Sequence, residues 1–179
     1  SQPNQQTLRA LMPVHNNEIA AMFEEVADLL EIEGANPFRV RAYRNAAQTV
    51  RGNTESMSNL VDQNKDLTEL PNIGADLAEK ITKIVKTGKL PLLRKVRSRT
   101  PSELSELMKI EGLGPKRIKT LHNELDINSI EDLEKAAADH EIRRLEGFGK
   151  KTEENLKKKA ENFTGNTGRL KLIEAEEIA

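Results

Sequence analysis

The sequence predicts an all-α fold made of two small helical domains, and three observations favour that class. Apolar residues recur at helical spacing throughout the 179 residues, which puts them on one stripe of each predicted helix. Only 3% of the residues are aromatic and 32% are charged, as in small helical domains whose cores are filled by Leu, Ile, Val and Ala. A pattern of two short helices separated by a glycine hairpin also occurs three times.

The repeat is clearest at Gly112-Leu113-Gly114. Two apolar residues three positions apart precede this hairpin, and further apolar residues follow its second glycine by four and seven positions. The equivalent triplets are Asn72-Ile73-Gly74 and Gly147-Phe148-Gly149, and the copies begin 40 and then 35 residues apart. Such a period is typical of a supersecondary unit that is used repeatedly.

Two positions depart from this pattern. Asn72 replaces the leading glycine in the first copy, and Asn is the non-glycine residue that best tolerates a positive φ angle. In the third copy Glu153 stands where Ala78 and Ile118 stand in the others, so we expect the second helix of that copy to pack less well.

Each hairpin is a candidate anion site. A glycine hairpin that opens a helix presents unpaired backbone N–H groups and the positive end of the helix dipole, and glycine lets the backbone come close to a ligand. Basic residues follow the second and third hairpins, which favours a nucleic-acid backbone over a free metabolite. They are Lys116, Arg117, Lys119, Lys150 and Lys151. The alternative is that the glycines only close helical hairpins in an ordinary bundle.

A second candidate for a phosphate-binding surface lies between residues 80 and 99. The net charge of −1 argues against a general nucleic-acid binder, but this segment contains eight basic residues and no acidic one. The alternative is a solvated helix face, although such faces usually mix both signs. The eight residues of this basic segment are Lys80, Lys83, Lys86, Lys89, Arg94, Lys95, Arg97 and Arg99.

Changes in composition predict four regions along the chain. Residues 1–14 are polar with little apolar periodicity and are expected to form a flexible arm. A first helical domain is expected at 15–90 and a second at 91–163. Residues 164–168 (TGNTG) predict a flexible break, so 164–179 is expected to hold a linker and the start of a further, truncated domain.

The three copies resemble the helix-hairpin-helix motif of DNA repair proteins, whose hairpins grip a DNA strand through backbone amides, often with a bound monovalent cation. Over residues 14–163 the chain also resembles the amino-terminal region of family X DNA polymerases, and of the bacterial members most of all. The segments that carry this resemblance are residues 31–47 (EIEGANPFRVRAYRNAA), 70–74 (LPNIG) and 77–81 (LAEKI). It implies a domain of lyase ancestry followed by a fingers-type domain, in which the first hairpin holds the downstream strand at a gap and the second holds the primer strand.

The resemblance also implies roles for single residues. Lys80 stands where lyases of the family keep the lysine that forms a Schiff base with an abasic sugar. This lysine must be uncharged to attack, which a neighbouring cation such as Lys83 favours. The alternative is that Lys80 is one more phosphate contact.

Four further positions bear on the lyase reading. Arg39 and Tyr43 match positions that line the family's 5′-phosphate pocket, although Tyr43 can also be read as a core aromatic residue. Thr68 and Asp76 replace basic pocket residues, and Asp76 would repel a 5′-phosphate. We therefore expect any lyase activity to be weak.

Our leading interpretation is a DNA-binding module of a repair polymerase, specific for gapped or nicked DNA or 5′-phosphate ends and not for base sequence. The alternatives are an active 5′-deoxyribose-phosphate lyase and a protein-interaction or junction-binding module. We expect a monomer. No cysteine, signal peptide or membrane-length apolar run occurs, which favours an intracellular protein. The resemblance implies the bacterial cytoplasm, at the nucleoid. The only cofactor expected is a monovalent cation at hairpin carbonyls, since Mg²⁺ belongs to a palm domain whose aspartates are missing here.

Overall fold

Every regular element in the described part of the chain is helical, which confirms the predicted fold class. The computed structural model describes the backbone of residues 13–178 and the side chains of residues 13–165. The helices are α1 (Asn16–Ile32), α2 (Pro37–Gly52), α3 (Met57–Asp62), α4 (Ala75–Thr87), α5 (Pro91–Arg99), α6 (Ser102–Glu106), α7 (Pro115–Leu125), α8 (Ile130–Ala138) and α9 (Lys150–Ile178). A 3₁₀ turn precedes each hairpin, at Leu67–Glu69, Leu107–Lys109 and Ile142–Arg144.

The chain divides into two units between Arg99 and Thr100. The boundary therefore lies after α5, whereas the sequence placed it before this helix, between residues 90 and 91. The reason is that α5 packs against α1 and buries Leu93 and Val96. The apolar face of this basic helix makes it part of the first core.

The core of the first unit forms where α1 packs against α2. Phe23 and Tyr43 meet there edge to face, with ring centroids 5.8 Å apart and an interplanar angle of 66°. Helix α2 begins sharply because the side chain of Asn36 accepts a hydrogen bond of 2.9 Å from the amide of Phe38, with Pro37 in the first turn. This cap confirms the helix start that the Asn-Pro pair predicts.

The second unit is built around the second and third hairpins. Helix α8 lies between them and is capped by Ser129, whose hydroxyl accepts from the amide of Asp132 at 3.1 Å. Large side chains that are fully buried in this unit fill its core. They are Leu107, Ile118, Leu121, Ile127, Leu133 and Ile142.

Helix α9 differs from the prediction at its carboxyl end. Its backbone is helical from Lys150 to Ile178, across the residues at which a flexible break was predicted. Glycine costs only about 1 kcal/mol per residue in a helix, and the segment contains no proline, so Gly165 and Gly168 do not end it. Residues 1–12 of the predicted arm and Ala179 lie outside the described residues.

Candidate nucleic-acid interface

The three hairpins share one backbone hydrogen bond. In each, the amide of the middle residue donates to the carbonyl oxygen three positions earlier. The pairs are Ile73 to Leu70 at 3.3 Å, Leu113 to Ile110 at 3.1 Å, and Phe148 to Leu145 at 3.1 Å. The three middle side chains are also buried, so each loop is held from inside by the same bond and the same apolar contact.

The leading residue of each hairpin needs an unusual backbone conformation. Its φ angle is 63° at Asn72, 85° at Gly112 and 84° at Gly147. This left-handed region is disfavoured for residues with a Cβ atom, although Asn tolerates it better than most. The prediction that Asn72 substitutes for glycine in the first copy is confirmed.

The second glycine of each hairpin has a different reason to be glycine. At Gly114 the backbone is extended, with φ −81° and ψ 173°, a conformation open to any residue. A Cβ atom added at Gly74, Gly114 or Gly149 would meet nothing within 4 Å. The fold therefore does not require glycine at these positions, and the bare backbone leaves room for something outside the described chain to approach.

Backbone amides are the groups that such a ligand would meet. Within residues 13–165, the N–H groups of the two residues that flank each middle residue donate to no protein acceptor. The first-turn amides of α4, α7 and α9 follow directly and have no partner within their helices. The helix dipole adds a partial positive charge at the same place. Each hairpin thus presents a cluster of donors suited to a phosphate oxygen.

Exposed cations surround two of these clusters. Lys116 follows the second hairpin, and Lys150 and Lys151 follow the third, and all three side chains are exposed as predicted. Arg117 differs. Its Nη1 donates to the carbonyl oxygen of Gly112 at 3.1 Å, and its Cζ lies 5.6 Å from the ring centroid of Phe148. This guanidinium is bound to protein groups, and its predicted phosphate contact stays a prediction.

The basic segment is smaller than its sequence suggests. Arg97 donates to Glu25 at 2.9 Å and Arg99 to Glu33 at 3.1 Å, so both guanidinium groups are paired with carboxylates, one on α1 and one on the residue that follows this helix. Both guanidinium groups nevertheless remain exposed. The remaining surface consists of the exposed cations on α4, α5 and the loop between them that make no ion pair within residues 13–165. They are Lys83, Lys86, Lys89, Arg94 and Lys95.

The candidate lyase residues Lys80, Arg39 and Tyr43 differ in their contacts and in their exposure. The Nζ atom of Lys80 lies 2.7 Å from both carboxylate oxygens of Asp76, one turn earlier on α4. Arg39 is exposed, whereas Tyr43 is buried in the core at 4% exposure. The alternative reading of Tyr43 as a core aromatic residue thus describes its position.

Phe38 is a surface residue whose position in the sequence does not reveal its exposure. It fits the apolar spacing of α2, but 78% of it is exposed, more than any other large hydrophobic residue among those described. It lies in the first turn of its helix, next to the exposed Arg39. An exposed aromatic ring beside a cation is suited to stacking on a nucleic-acid base.

Glu153 is the other residue whose environment the sequence did not indicate. Its side chain is 2% exposed, and its carboxylate accepts from the Arg143 amide and Nε, both at 2.8 Å, and from the Nδ1 atom of His140 at 3.0 Å. Burial alone would raise the pKa of this carboxyl, but the hydrogen bonds from Arg143 and His140 lower the pKa to about 2. The third copy is therefore held by an ionic network at the position where poorer packing was predicted.

Two carbonyl groups of the second hairpin are already bound to cationic side chains. The Nζ atom of Lys159 donates to the carbonyl oxygen of Glu111 at 2.9 Å, and Arg117 binds that of Gly112. Each carbonyl oxygen keeps a second lone pair, so the monovalent cation expected at hairpin carbonyls stays a prediction. In the part of the chain with described side chains, no group of three His, Asp or Glu residues is arranged to hold a metal ion. No described helix is long and apolar enough to cross a membrane.

Comparison with known families agrees with this geometry. Residues 14–90 match the helix-hairpin-helix domain, and residues 104–162 match the SAM-like helix-hairpin-helix tandem. The chain is built from helix-hairpin-helix domains. Domains of this family bind DNA, so DNA is the partner that the matches indicate.

A curated relative supports the wider resemblance. The chain is 33% identical over 143 residues to the DNA polymerase/3′-5′ exonuclease PolX of Bacillus subtilis (strain 168), a stretch that covers 80% of this chain and 24% of the relative. The chain thus spans about a quarter of the length of that polymerase. Its predicted resemblance to the amino-terminal region of a family X DNA polymerase is confirmed.

Proposed function

We propose that this chain binds gapped or nicked DNA without regard to base sequence, as the DNA-binding part of a repair polymerase. The observation that carries the proposal is the second glycine of each hairpin. It lies in open space in an ordinary backbone conformation, beside amides that have no acceptor within residues 13–165. A phosphate oxygen fits that site by charge and by the close approach that a bare backbone allows.

The salt dependence of DNA binding tests the proposal. If the hairpins and nearby lysines neutralise on the order of five phosphates, log affinity falls with log salt with a slope of roughly −4 to −5. Exchanging the base sequence of the probe leaves affinity nearly unchanged, because phosphate contacts carry no sequence information. A slope near zero would contradict DNA binding by these hairpins.

A matched set of oligonucleotides tests the preference for gaps. The set consists of one duplex that is intact, nicked, or gapped by one nucleotide, each interrupted form with and without a 5′-phosphate. We expect the gapped, 5′-phosphorylated duplex to bind most tightly, since the gap and the 5′-phosphate are the features that the family resemblance implies for these hairpins. Equal affinity for all forms would leave general DNA binding and remove the gap preference.

A lyase reaction at Lys80 is the second candidate function. The observation in its favour is that the Lys80 side chain remains 22% exposed on the helix that the first hairpin opens. The carboxylate of Asp76 opposes it, because it pairs with the ammonium form and repels a 5′-phosphate. We expect slow borohydride trapping on a 5′-deoxyribose-phosphate substrate, faster trapping by Asp76→Asn, and none by Lys80→Ala. Trapping that survives Lys80→Ala would assign the chemistry to another amine.

A further inference from the structure

We infer that Arg117 and Lys159 lock the second and third hairpins into one DNA clamp, acting as positioning residues and not as phosphate ligands. The inference rests on the proposed DNA binding and deepens it. Each of the two cations comes from the helix that follows one hairpin. Arg117 lies on α7 after the second hairpin, and Lys159 lies on α9 after the third.

Lys159 reaches from the third copy to the second. Its ammonium donates to the carbonyl oxygen of Glu111, 48 residues earlier in the chain, at 2.9 Å. It also lies 3.4 Å from where a Cβ atom of Gly112 would stand, so it packs directly against the leading residue of the hairpin. The Lys159 side chain is only partly exposed, as this inward position requires.

The bond to Glu111 orients an amide that the ligand uses. The C=O and N–H of one planar trans peptide point in opposite directions, so fixing the oxygen of Glu111 also fixes the N–H of Gly112. Within residues 13–165 that N–H has no protein acceptor. Lys159 therefore fixes the orientation of the Gly112 amide, and its ammonium group acts on the peptide and not as a phosphate ligand.

Arg117 connects the two hairpins from the other side. Its guanidinium binds the carbonyl oxygen of Gly112 at 3.1 Å and lies over the ring of Phe148, the buried middle residue of the third hairpin. One side chain thus contacts residues of both loops. A shift of either loop would break one of these contacts, which couples the positions of the two amide clusters.

The first hairpin has no equivalent of either cation. The position three residues after its second glycine is Leu77, which is buried, and the position ten residues after is Ile84. Its leading residue Asn72 instead uses its own side chain, whose Nδ2 atom lies 3.5 Å from the hydroxyl of Thr49. The clamp is therefore a property of the second unit alone.

Salt titration of DNA affinity separates a positioning residue from a phosphate ligand. Removing a cation that binds phosphate reduces the salt slope by about 0.9, whereas removing a positioning residue lowers affinity and leaves the slope almost unchanged. The test uses the whole chain and a gapped duplex with a fluorescent label. The variants are Lys159→Met and Arg117→Leu, with Lys159→Arg to restore a donor. Lys158→Met is the matched control, since it removes an exposed charge at the adjacent position.

We expect Lys159→Met and Arg117→Leu each to weaken binding at least fivefold, with slopes within about 0.3 of wild type. Lys159→Arg should recover most of the affinity. In the free protein, the amide resonance of Gly112 should move in Lys159→Met and stay in place in Lys158→Met. Circular dichroism at matched temperature confirms that each variant is folded.

Three results would overturn the inference. Affinity in Lys159→Met equal to that of wild type would show that the hydrogen bond from Lys159 to Glu111 has no effect on DNA binding. A slope reduced by about 0.9 in Lys159→Met would make Lys159 a phosphate ligand. If the wild-type chain binds no DNA, both the proposed function and the clamp are wrong. In the first two outcomes the wild-type chain binds DNA, so only the clamp is wrong.

Discussion

The second and third hairpins have the same backbone but are supported by different chemistry. Four residues after the second glycine, α7 buries Ile118 and α9 buries Glu153. Ile118 fills its place by packing. Glu153 fills the same place by accepting hydrogen bonds from Arg143 and His140. The hairpin shape thus depends on the loop itself, whereas the helix behind it needs only a buried side chain whose polar groups are all paired.

This difference teaches how a repeat can diverge without losing its site. In the first copy the side chain of Asp66 caps the amide of Thr68 at the start of the 3₁₀ turn, at 3.0 Å. In the third copy the equivalent amide, that of Arg143, donates to Glu153. The first copy thus uses a cap from a residue two positions away, whereas the third uses a hydrogen bond between residues that precede and follow the hairpin. The support behind the third hairpin therefore depends on a single carboxylate.

Among the substitutions that compare the two hairpins, removal of the Glu153 carboxylate should change the free energy of unfolding most. Glu153→Ala leaves the half-buried Arg143 guanidinium and its amide without an acceptor, and we expect it to cost ~4 kcal/mol of unfolding free energy. Ile118→Ala, at the matching place, should cost ~3 kcal/mol by loss of packing. Urea denaturation followed by circular dichroism measures both. A cost below ~1 kcal/mol for Glu153→Ala would show that the network contributes little.

Acid should weaken the third hairpin and leave the second intact. The pKa of Glu153 falls from an ordinary value of 4.5 to about 2, so its contribution is complete above pH 4.5 and is lost as the pH falls towards 2. We expect the difference in unfolding free energy between wild type and Glu153→Gln to shrink by ~3 kcal/mol over that range. Urea denaturation at a series of pH values measures it. A difference that stays constant down to pH 2 would contradict the depressed pKa.

The ionic contacts behind the third hairpin can be replaced by apolar packing like that behind the second. The double substitution Glu153→Ile with Arg143→Leu replaces the ion pair by apolar contact, and we expect stability within ~2 kcal/mol of wild type. The remaining loss comes from the Arg143 amide, which no longer has an acceptor. Glu153→Ile alone should be less stable than the double variant, because it leaves the guanidinium unpaired. The reverse order in urea denaturation would be inconsistent with this role of Arg143.

The smallest effect should be nearly equal in the two hairpins. Gly112→Ala and Gly147→Ala place a Cβ atom at φ angles of 85° and 84°, and each should cost ~1 kcal/mol. The added Cβ of Gly112→Ala would lie 3.4 Å from the Nζ atom of Lys159, an ordinary van der Waals contact that adds no further cost. Thermal unfolding of the two variants side by side measures this. Costs that differ by more than ~1 kcal/mol would show that the two loops do not share a backbone.

The sequence predicted those parts of the fold whose causes are local. The three hairpins, the positive φ of Asn72 and the cap at Asn36 each follow from residues a few positions apart. Glu153 and Arg143 are ten residues apart on opposite sides of a loop, and no helical spacing relates them. Arg97 finds its partner 72 residues earlier on α1, so the extent of the first unit could not be read from α5 itself.

The site was predicted in outline for the same reason. The amides and glycines belong to the local repeat and were identified by their spacing. Arg117 was expected at the DNA surface because a basic residue after a hairpin usually faces solvent. Its two inward contacts depend on a ring contributed by the third copy. Phe38 fits a core spacing but lies in the first turn of α2, where no helix covers it.

The most direct test of the hairpin account is DNA binding by Gly114→Val. Its Cβ atom would enter space that no described atom occupies within 4 Å, so the unfolding free energy should stay within ~0.5 kcal/mol of wild type. Binding to gapped DNA should weaken at least tenfold, because the branched side chain stands between the backbone amides and the phosphate. Gly165→Val, which also enters open space but lies in α9 away from any hairpin, is the control. Unchanged affinity in Gly114→Val, in a folded protein, would contradict the assignment of this backbone as the DNA grip.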